Sequence, residues 1–423
     1  MRQDKKGWLL NYIESFKSFT HKEKFKDYIR DKITSYPNVD DFLYHTVQST
    51  GLMYGFPVKL AEEELIDISG LEEDDKMKVI LIDSLLNYSL FYKNQGFHEN
   101  ENIETVIDEV TCSIKDFYLE VFPGIKDKEI NNASDNVVEV LIERRVQTGK
   151  KWSNTFWTSY FKNSLLFLDV IYFSKWMQKE SKERLIKEKE DVYFLIIKII
   201  AASANANSVI ENEEKALFEN FLNSAKMKEE NVKKANDYFY KGVKLESIDF
   251  EGIDSWIIKK YLLEISILTI WSDRVVDQEE LVFLEELNAK LGFSKQDFEA
   301  SMIAIESFVL SHWNELPYIN KNNDYDKIYG NLIERTTDFI NRNIRDIDNE
   351  IFRKDEFKQL LQKSVNNELS NIEKQKIKLY LRKYLKTIPS LAIFLLPGGS
   401  VMLPLLLKLL PDKFLNANKL PVD

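Results

Sequence analysis

Proline is nearly absent from most of this chain and crowds its end: four prolines lie in the first 386 residues and five in the last 37. A proline inside a helix removes one backbone hydrogen bond and costs roughly 3 kcal/mol. A chain so rarely interrupted, with only 13 glycines in 423 residues, has few places to turn. Leu, Ile, Phe and Tyr alternate with Lys and Glu at helical intervals through most of it. Turn-rich β architectures need more punctuation, so the expected fold class is all-α. At 423 residues the chain exceeds one ordinary core, and a multi-domain helical array follows from roughly 100–200 residues per domain.

Charge divides the chain. Residues 371–423 carry nine Lys/Arg against three Asp/Glu, which is +6, so a total of −11 leaves −17 on residues 1–370. An acidic body argues against DNA, since nucleic-acid affinity comes mostly from phosphate neutralisation by clustered basic residues. The basic end can still meet anionic lipid or RNA. At the start, Glu14 interrupts before an apolar core of signal-peptide length has built up, so no secretory signal is read and the chain is expected to begin in the cytoplasm. Cys112 is the single cysteine, which excludes an internal disulfide and a cysteine cage for zinc; a buried thiol is expected.

Five segments are expected. Residues 1–140 read as a helical domain with turns near Pro37, Gly51 to Pro57, Gly96 and Pro123-Gly124. Residues 141–185 interleave basic and aromatic residues, from Glu143-Arg144-Arg145 through Lys150, Lys151 and Trp152 to Trp176, around the apolar run Leu165 to Phe173. That run reads either as a membrane-surface helix or, as favoured by its length and by Asp169 within it, as a buried core helix. Residues 186–315 form a repeat pair, 325–386 are charged helices, and 387–423 are the apolar tail.

The repeat has an offset of 66. Ser203–Leu222 laid over Thr269–Asn288 aligns Asn207 with Asp273, Val209 with Val275, Ile210 with Val276, Glu211 with Asp277 and Glu214 with Glu280, each copy following a strongly apolar helix. These copies resemble TerB-type units of the tellurite-resistance family, whose pattern is an apolar helix, Asp-Gly, a hydrophobic pair and an acidic helix start ending in Glu. Arg274 and Ser208 stand where that family often has glycine. Asp273, Asp277 and Glu280 place carboxylates on a loop and a first helical turn, where oxygen ligands suit calcium or magnesium. The same residues also fit a helix start in which Asp277 is the N-cap and Glu280 the N3 partner, with no ion bound.

The tail runs from Ile388 to Leu410, 23 residues with Lys408 as the sole charge, broken by Pro389, Pro397, Pro404 and Pro411. About 20 apolar residues span a bilayer core, and Pro397-Gly398-Gly399 halves the run, so a bent crossing helix, a re-entrant hairpin and packing onto the body all stay open. Ser370 and Glu373 have capping-box spacing, placing a helix start near Asn371; the helix carries Lys374, Lys376, Lys378, Arg382, Lys383 and Lys386, placed to contact anionic lipid or RNA. The proline ladder, Lys408 and the Leu369, Ser370, Glu373 triplet together resemble the membrane segment of the LETM family (leucine-zipper, EF-hand-containing transmembrane proteins) over about the last 55 residues. The resemblance implies membrane lipid as a partner and a location on the cytoplasmic side of the inner membrane, with ribosome binding and cation/proton exchange as associated activities. Within it, the bacterial LETM-related proteins labelled biofilm-associated are the nearest in kind.

No catalytic constellation is read. His21, His45, His98 and His312 lack HExxH spacing, and no phosphate-binding glycine loop or GxSxG elbow occurs. The expected function is therefore a non-enzymatic, membrane-attached adaptor or scaffold that engages another protein, with an ion-sensing repeat pair and oligomerisation through the tail. A ribosome-binding protein and a cation/proton exchanger are the alternatives. Transport usually requires ionisable groups within the membrane, and the tail offers only Lys408.

Overall fold

The computed structural model describes residues 7–20, 36, 38–61, 66–94, 103–122, 137–146, 163–205, 212–225, 227, 229–270, 278–312 and 324–350, and beyond them residues 359, 360, 363, 370, 373 and 377. Among the described residues every regular element is helical and no strand occurs, as the scarcity of proline and glycine implies. The chain divides into two compact units, Met1–Ile33 with Asn38–Leu291 and Thr34–Pro37 with Gly292–Asp423. The expected segments 1–140 and 141–185 thus share a unit with the first part of 186–315, and the break falls at Gly292, inside the expected repeat pair.

In the first unit the helices are α1 (Trp8–Thr20), α2 (Val39–Gln48), α3 (Glu73–Asn94), α4 (Ile103–Val121), α5 (Val137–Arg145), α6 (Leu166–Met177), α7 (Lys182–Ala204), α8 (Asn212–Ala225), α9 (Glu229–Lys241), α10 (Trp256–Ile270) and α11 (Gln278–Lys290). Their hub is α6, which packs against α2, α3, α4, α7 and α10. Every residue from Leu166 to Ser174 is buried, so this helix has no solvent face in its first nine positions. Each fully buried Leu, Ile, Val or Phe contributes roughly 1.5–3 kcal/mol, and α6 supplies six of them between Leu166 and Phe173. The membrane-surface reading of this run is thereby replaced by the core reading. A helix of 12 residues is also about 18 Å long, well short of a bilayer core.

Helix ends follow local chemistry. Asn38 caps α2 by accepting from the Asp41 amide at 2.9 Å, and Ser181 caps α7 by accepting from the Arg184 amide at 3.3 Å. After α2 the chain reverses at Gly51, whose φ of +82° and 1.9 Å clearance between a notional Cβ and the Phe56 carbonyl oxygen admit no other residue. At the far end of α7, Asn205 donates its amide to the Ala201 carbonyl at 2.7 Å and to the Phe239 carbonyl at 3.1 Å, tying α7 to the end of α9.

The 66-residue offset reappears in the helix boundaries. α7 ends at Ala204 and α10 at Ile270; α8 starts at Asn212 and α11 at Gln278. Buried positions keep step, since Phe218 and Phe221 of α8 match Leu284 and Leu287 of α11. The common register reflects the same requirement twice: an apolar helix, a short connection, and a second helix laid back against it.

The second unit is built on α12 (Lys295–Ser311) and α13 (Asp324–Glu350), which pack together. α12 starts with a reciprocal cap in which Ser294 accepts from the Asp297 amide at 3.2 Å and Asp297 accepts from the Ser294 amide at 3.0 Å. α13 turns Ile328, Leu332, Thr336 and Phe339 inward at spacings of four, four and three, the stripe expected of a helix with one buried face.

One expectation is corrected. Cys112 is exposed. The buried stripe of α4 is Val106, Ile107, Val110, Ile114, Phe117, Tyr118 and Val121, and a residue two positions from Val110 and Ile114 falls on the opposite face.

The start of α1 depends on a side chain far along the chain. Glu139, buried on α5, accepts from the Gly7 amide at 2.8 Å and from the Leu9 amide at 3.3 Å, satisfying donors that a helix start leaves without partners. Glu139→Ala should cost about 1–3 kcal/mol in urea unfolding and raise amide exchange in α1 before α6. An unchanged α1 exchange rate would show that this cap does not hold the helix.

Candidate functional site

The residues singled out by the sequence divide sharply. Asp273, Asp277, Pro389, Pro397, Pro404, Pro411, Lys374, Lys376, Lys378, Arg382, Lys383 and Lys386 lie outside the described residues. Glu280 sits in the first turn of α11 and is 2% exposed. Among the described residues no group of three or more His, Cys, Asp or Glu side chains is placed to hold a metal ion, and no helix is long and apolar enough to cross a membrane. Ser370 and Glu373 do form the reciprocal cap: the Ser370 amide donates to Glu373 at 3.0 Å and the Glu373 amide to Ser370 Oγ at 3.4 Å. The Lys363 ammonium and these Ser370 donors hold the Glu373 carboxyl down at about 2.

A different set of residues carries the internal chemistry. Four strongly apolar helices each hold one acid in the middle of the run: Asp83 in α3, Asp169 in α6, Glu264 in α10 and Glu306 in α12, all 0% exposed. An unpaired buried charge is among the most costly features a core can contain, so each of these demands partners.

Asp83 has them. It accepts from the Tyr12 hydroxyl at 2.7 Å, the Asn87 amide at 2.9 Å and the Ala61 backbone amide at 2.8 Å, joining α1, α3 and the loop after α2. Asp169 meets Arg145 in a two-pronged pair, Nε to Oδ2 and Nη2 to Oδ1, both 2.7 Å, and also accepts from the Tyr118 hydroxyl at 3.2 Å. Burial opposes charge on Arg145, yet the facing carboxylate holds its pKa above the ordinary guanidinium value. Around this pair the Phe122 ring carries the Arg145 guanidinium 4.4 Å from its centre and the Lys189 ammonium at 3.8 Å. Lys189 also donates to the Val121 carbonyl at 2.6 Å, capping the end of α4, and burial pulls its pKa down to about 8, with Asp169 opposing and Arg145 reinforcing the shift.

Glu264 gathers α2, α10 and the 3-10 turn Leu52–Tyr54. Tyr44 and Tyr54 both donate their hydroxyls to it, Tyr54 at 2.7 Å; the Gln48 amide follows at 3.3 Å, and Lys260 lies 3.7 Å away. Burial first, and the Glu264 charge second, push both tyrosine hydroxyls well above their usual range, so they remain protonated donors.

Glu306 is the exception. Arg335 Nε lies 3.2 Å from its Oε1 with the N–H poorly aligned on that oxygen, and among the described residues neither carboxylate oxygen has a further hydrogen-bond partner. Burial pushes the Glu306 carboxyl up to about 7, with Arg335 pulling the other way. Arg335 itself is a third exposed and lines a cleft of about 310 Å3 with Glu299, Asn331, Glu334, Asp338 and Arg342. Arg342 is paired with Glu299 across it. Asn331, Glu334, Arg335, Asp338 and Arg342 recur at helical spacing, which puts them on one side of α13. A cleft of mixed charge beside an incompletely satisfied buried acid makes this the candidate site. Sequence reasoning passed over it, although an acid in Met302-Ile303-Ala304-Ile305-Glu306-Ser307-Phe308 is the same signal that Asp169 gave.

Comparison with protein-family models, curated proteins and solved structures yields no match for this chain.

Removing partners of the Glu264 cluster should be graded. Tyr54→Phe deletes one bond to a carboxylate and should cost about 1.5–3 kcal/mol, while Glu264→Ala leaves Tyr44, Tyr54, Gln48 and Lys260 without it and should cost about 3–5 kcal/mol. Urea unfolding monitored by tryptophan emission measures both. Equal losses would contradict the geometry.

Proposed function

We propose that this protein is a non-enzymatic, membrane-attached adaptor: an acidic helical body held at the cytoplasmic face of a membrane by its proline-broken apolar tail. The observation that carries this reading is the order of features at the end of the chain. The reciprocal cap of Ser370 and Glu373 is followed along the sequence by six basic residues and then by 23 residues with a single charge. Basic residues next to an apolar segment favour the cytoplasmic leaflet, each contributing about 1 kcal/mol near anionic lipid. The resemblance of this stretch to LETM-family membrane segments supports the same placement.

The body supplies the adaptor. Its interior charges are spent on joining helices to one another, and the TerB-like reading of its repeat pair draws support from helix ends 66 residues apart. In that reading the pair is an interaction module, with Asp273, Asp277 and Glu280 as its calcium or magnesium ligands; the burial of Glu280 favours the capping role instead.

Membrane fractionation of the full chain and of a chain lacking residues 387–423 tests the proposal. The full chain should sediment with membranes and the truncated chain should remain in the supernatant with an unchanged helical circular dichroism spectrum. Neutralising Lys374, Lys376, Lys378, Arg382, Lys383 and Lys386 together should weaken attachment less than the truncation does, an effect that high salt reproduces. A full chain that stays in the supernatant without detergent, paired with a truncated chain that aggregates, would place the tail in the protein core and end the membrane reading.

A further inference from the structure

Of the four buried acids, three are saturated and one is not. Asp83, Asp169 and Glu264 each receive hydrogen bonds on both oxygens, from tyrosine hydroxyls, amides or a guanidinium. Among the described residues Glu306 has only the poorly aligned Arg335 contact on one oxygen and nothing on the other. Both Ser307 Oγ beside it on α12 and Thr336 Oγ1 beside Arg335 on α13 are likewise buried without partners. A carboxylate left in this state loses its hydration and gains little in return, whereas a neutral carboxyl tolerates the same surroundings at far lower cost.

The charged groups around Glu306 define what can respond. From α13, Arg335 faces it; Glu334, Asp338 and Arg342 of α13 and Glu299 of α12 line the cleft onto which Arg335 opens. Arg342 is committed to Glu299. Arg335 therefore stands between an inner acid, Glu306, and two exposed acids, Glu334 and Asp338, at i−1 and i+3 on its own helix.

We propose that Glu306 is a proton-controlled gate between α12 and α13. With its proton, the neutral carboxyl lets the two helices close over it, with Arg335 Nε 3.2 Å from its Oε1. On losing the proton to solvent, the carboxylate draws water inward, and the helix contact loosens at the cleft.

The direction of the response follows from linkage. A carboxyl at about 7 in the closed state, against the ordinary 4.5 once open, binds a proton more tightly when closed. Closure is therefore favoured at low pH and weakens as pH rises through 7. Between pH 6 and pH 8 the closed state should lose about one pKa unit of preference, which is about tenfold in the opening equilibrium.

Hydrogen exchange of the full chain at pH 6 and pH 8, corrected for the intrinsic pH dependence of exchange, reads this directly. Protection of α12 and α13 should fall about tenfold across that interval while α6 serves as an internal reference that does not change. Glu306→Gln, neutral at both pH values, should keep its pH 6 protection at pH 8. Should Glu306→Gln fail to fold, Arg335→Met gives a second reading: without the guanidinium the closed-state carboxyl holds its proton to higher pH, so more proton release falls between pH 6 and pH 8 and the fall should grow beyond tenfold, toward roughly a hundredfold. A wild-type chain with no fall, a Glu306→Gln chain with the same fall, or an Arg335→Met chain with a fall no larger than the wild type's each overturns the gate.

Discussion

The bidentate pair of Arg145 and Asp169 is the interaction on which the larger unit depends. Asp169 sits at the centre of α6, and α6 is the helix that α2, α3, α4, α7 and α10 all touch. Burying a carboxylate there is tolerable only because Arg145 arrives from the end of α5 with two hydrogen bonds of 2.7 Å and Tyr118 arrives from α4 with a third. The pair therefore does more than neutralise charge. It fixes the ends of α4 and α5 against the hub, and through Phe122 and Lys189 it extends to α7.

The same device recurs. A core made only of Leu, Ile and Phe helices packs in many nearly equivalent registers, because apolar contact is not directional. One acid per helix, reaching for donors at defined positions elsewhere in the chain, removes that freedom: Asp83 selects Tyr12, and Glu264 selects Tyr44 and Tyr54, more than 200 residues away. Each such contact is misaligned if a helix slides by one residue. Glu306 belongs to this series by position and departs from it because, among the described residues, it has only one poorly aligned contact, with Arg335, and that departure is the physical basis for assigning it a titrating role.

Much of the architecture was legible from residues alone. Sparse proline and glycine gave the helical class, and the offset of 66 anticipated matching helix ends at Ala204 and Ile270 and at Asn212 and Gln278. The Ser370 and Glu373 spacing gave a reciprocal cap, since that geometry is set within four residues. The apolar run around Asp169 was readable as core, but its partner was not: Arg145 belonged to a basic stretch that looked like a solvated or membrane-facing surface. Pairings such as Glu264 with Tyr44 depend on how helices meet in three dimensions, and no local pattern encodes them. Cys112 was misplaced for a simpler reason, because residue type suggested burial while helical phase put it on the outer face of α4. The grouping of segments 1–140 and 141–185 with the helices that follow likewise rests on long-range contacts.

A double-mutant cycle on Arg145 and Asp169, measured by urea unfolding at pH 7, tests the central claim most directly. Asp169→Ala and Arg145→Ala should each cost about 3–5 kcal/mol, because each leaves a buried charge uncompensated, and the double variant should cost clearly less than their sum, with a coupling of about 2 kcal/mol or more. Additive losses, or single variants near wild-type stability, would show that the hub helix is held by apolar packing alone and that the buried pair does not organise the unit.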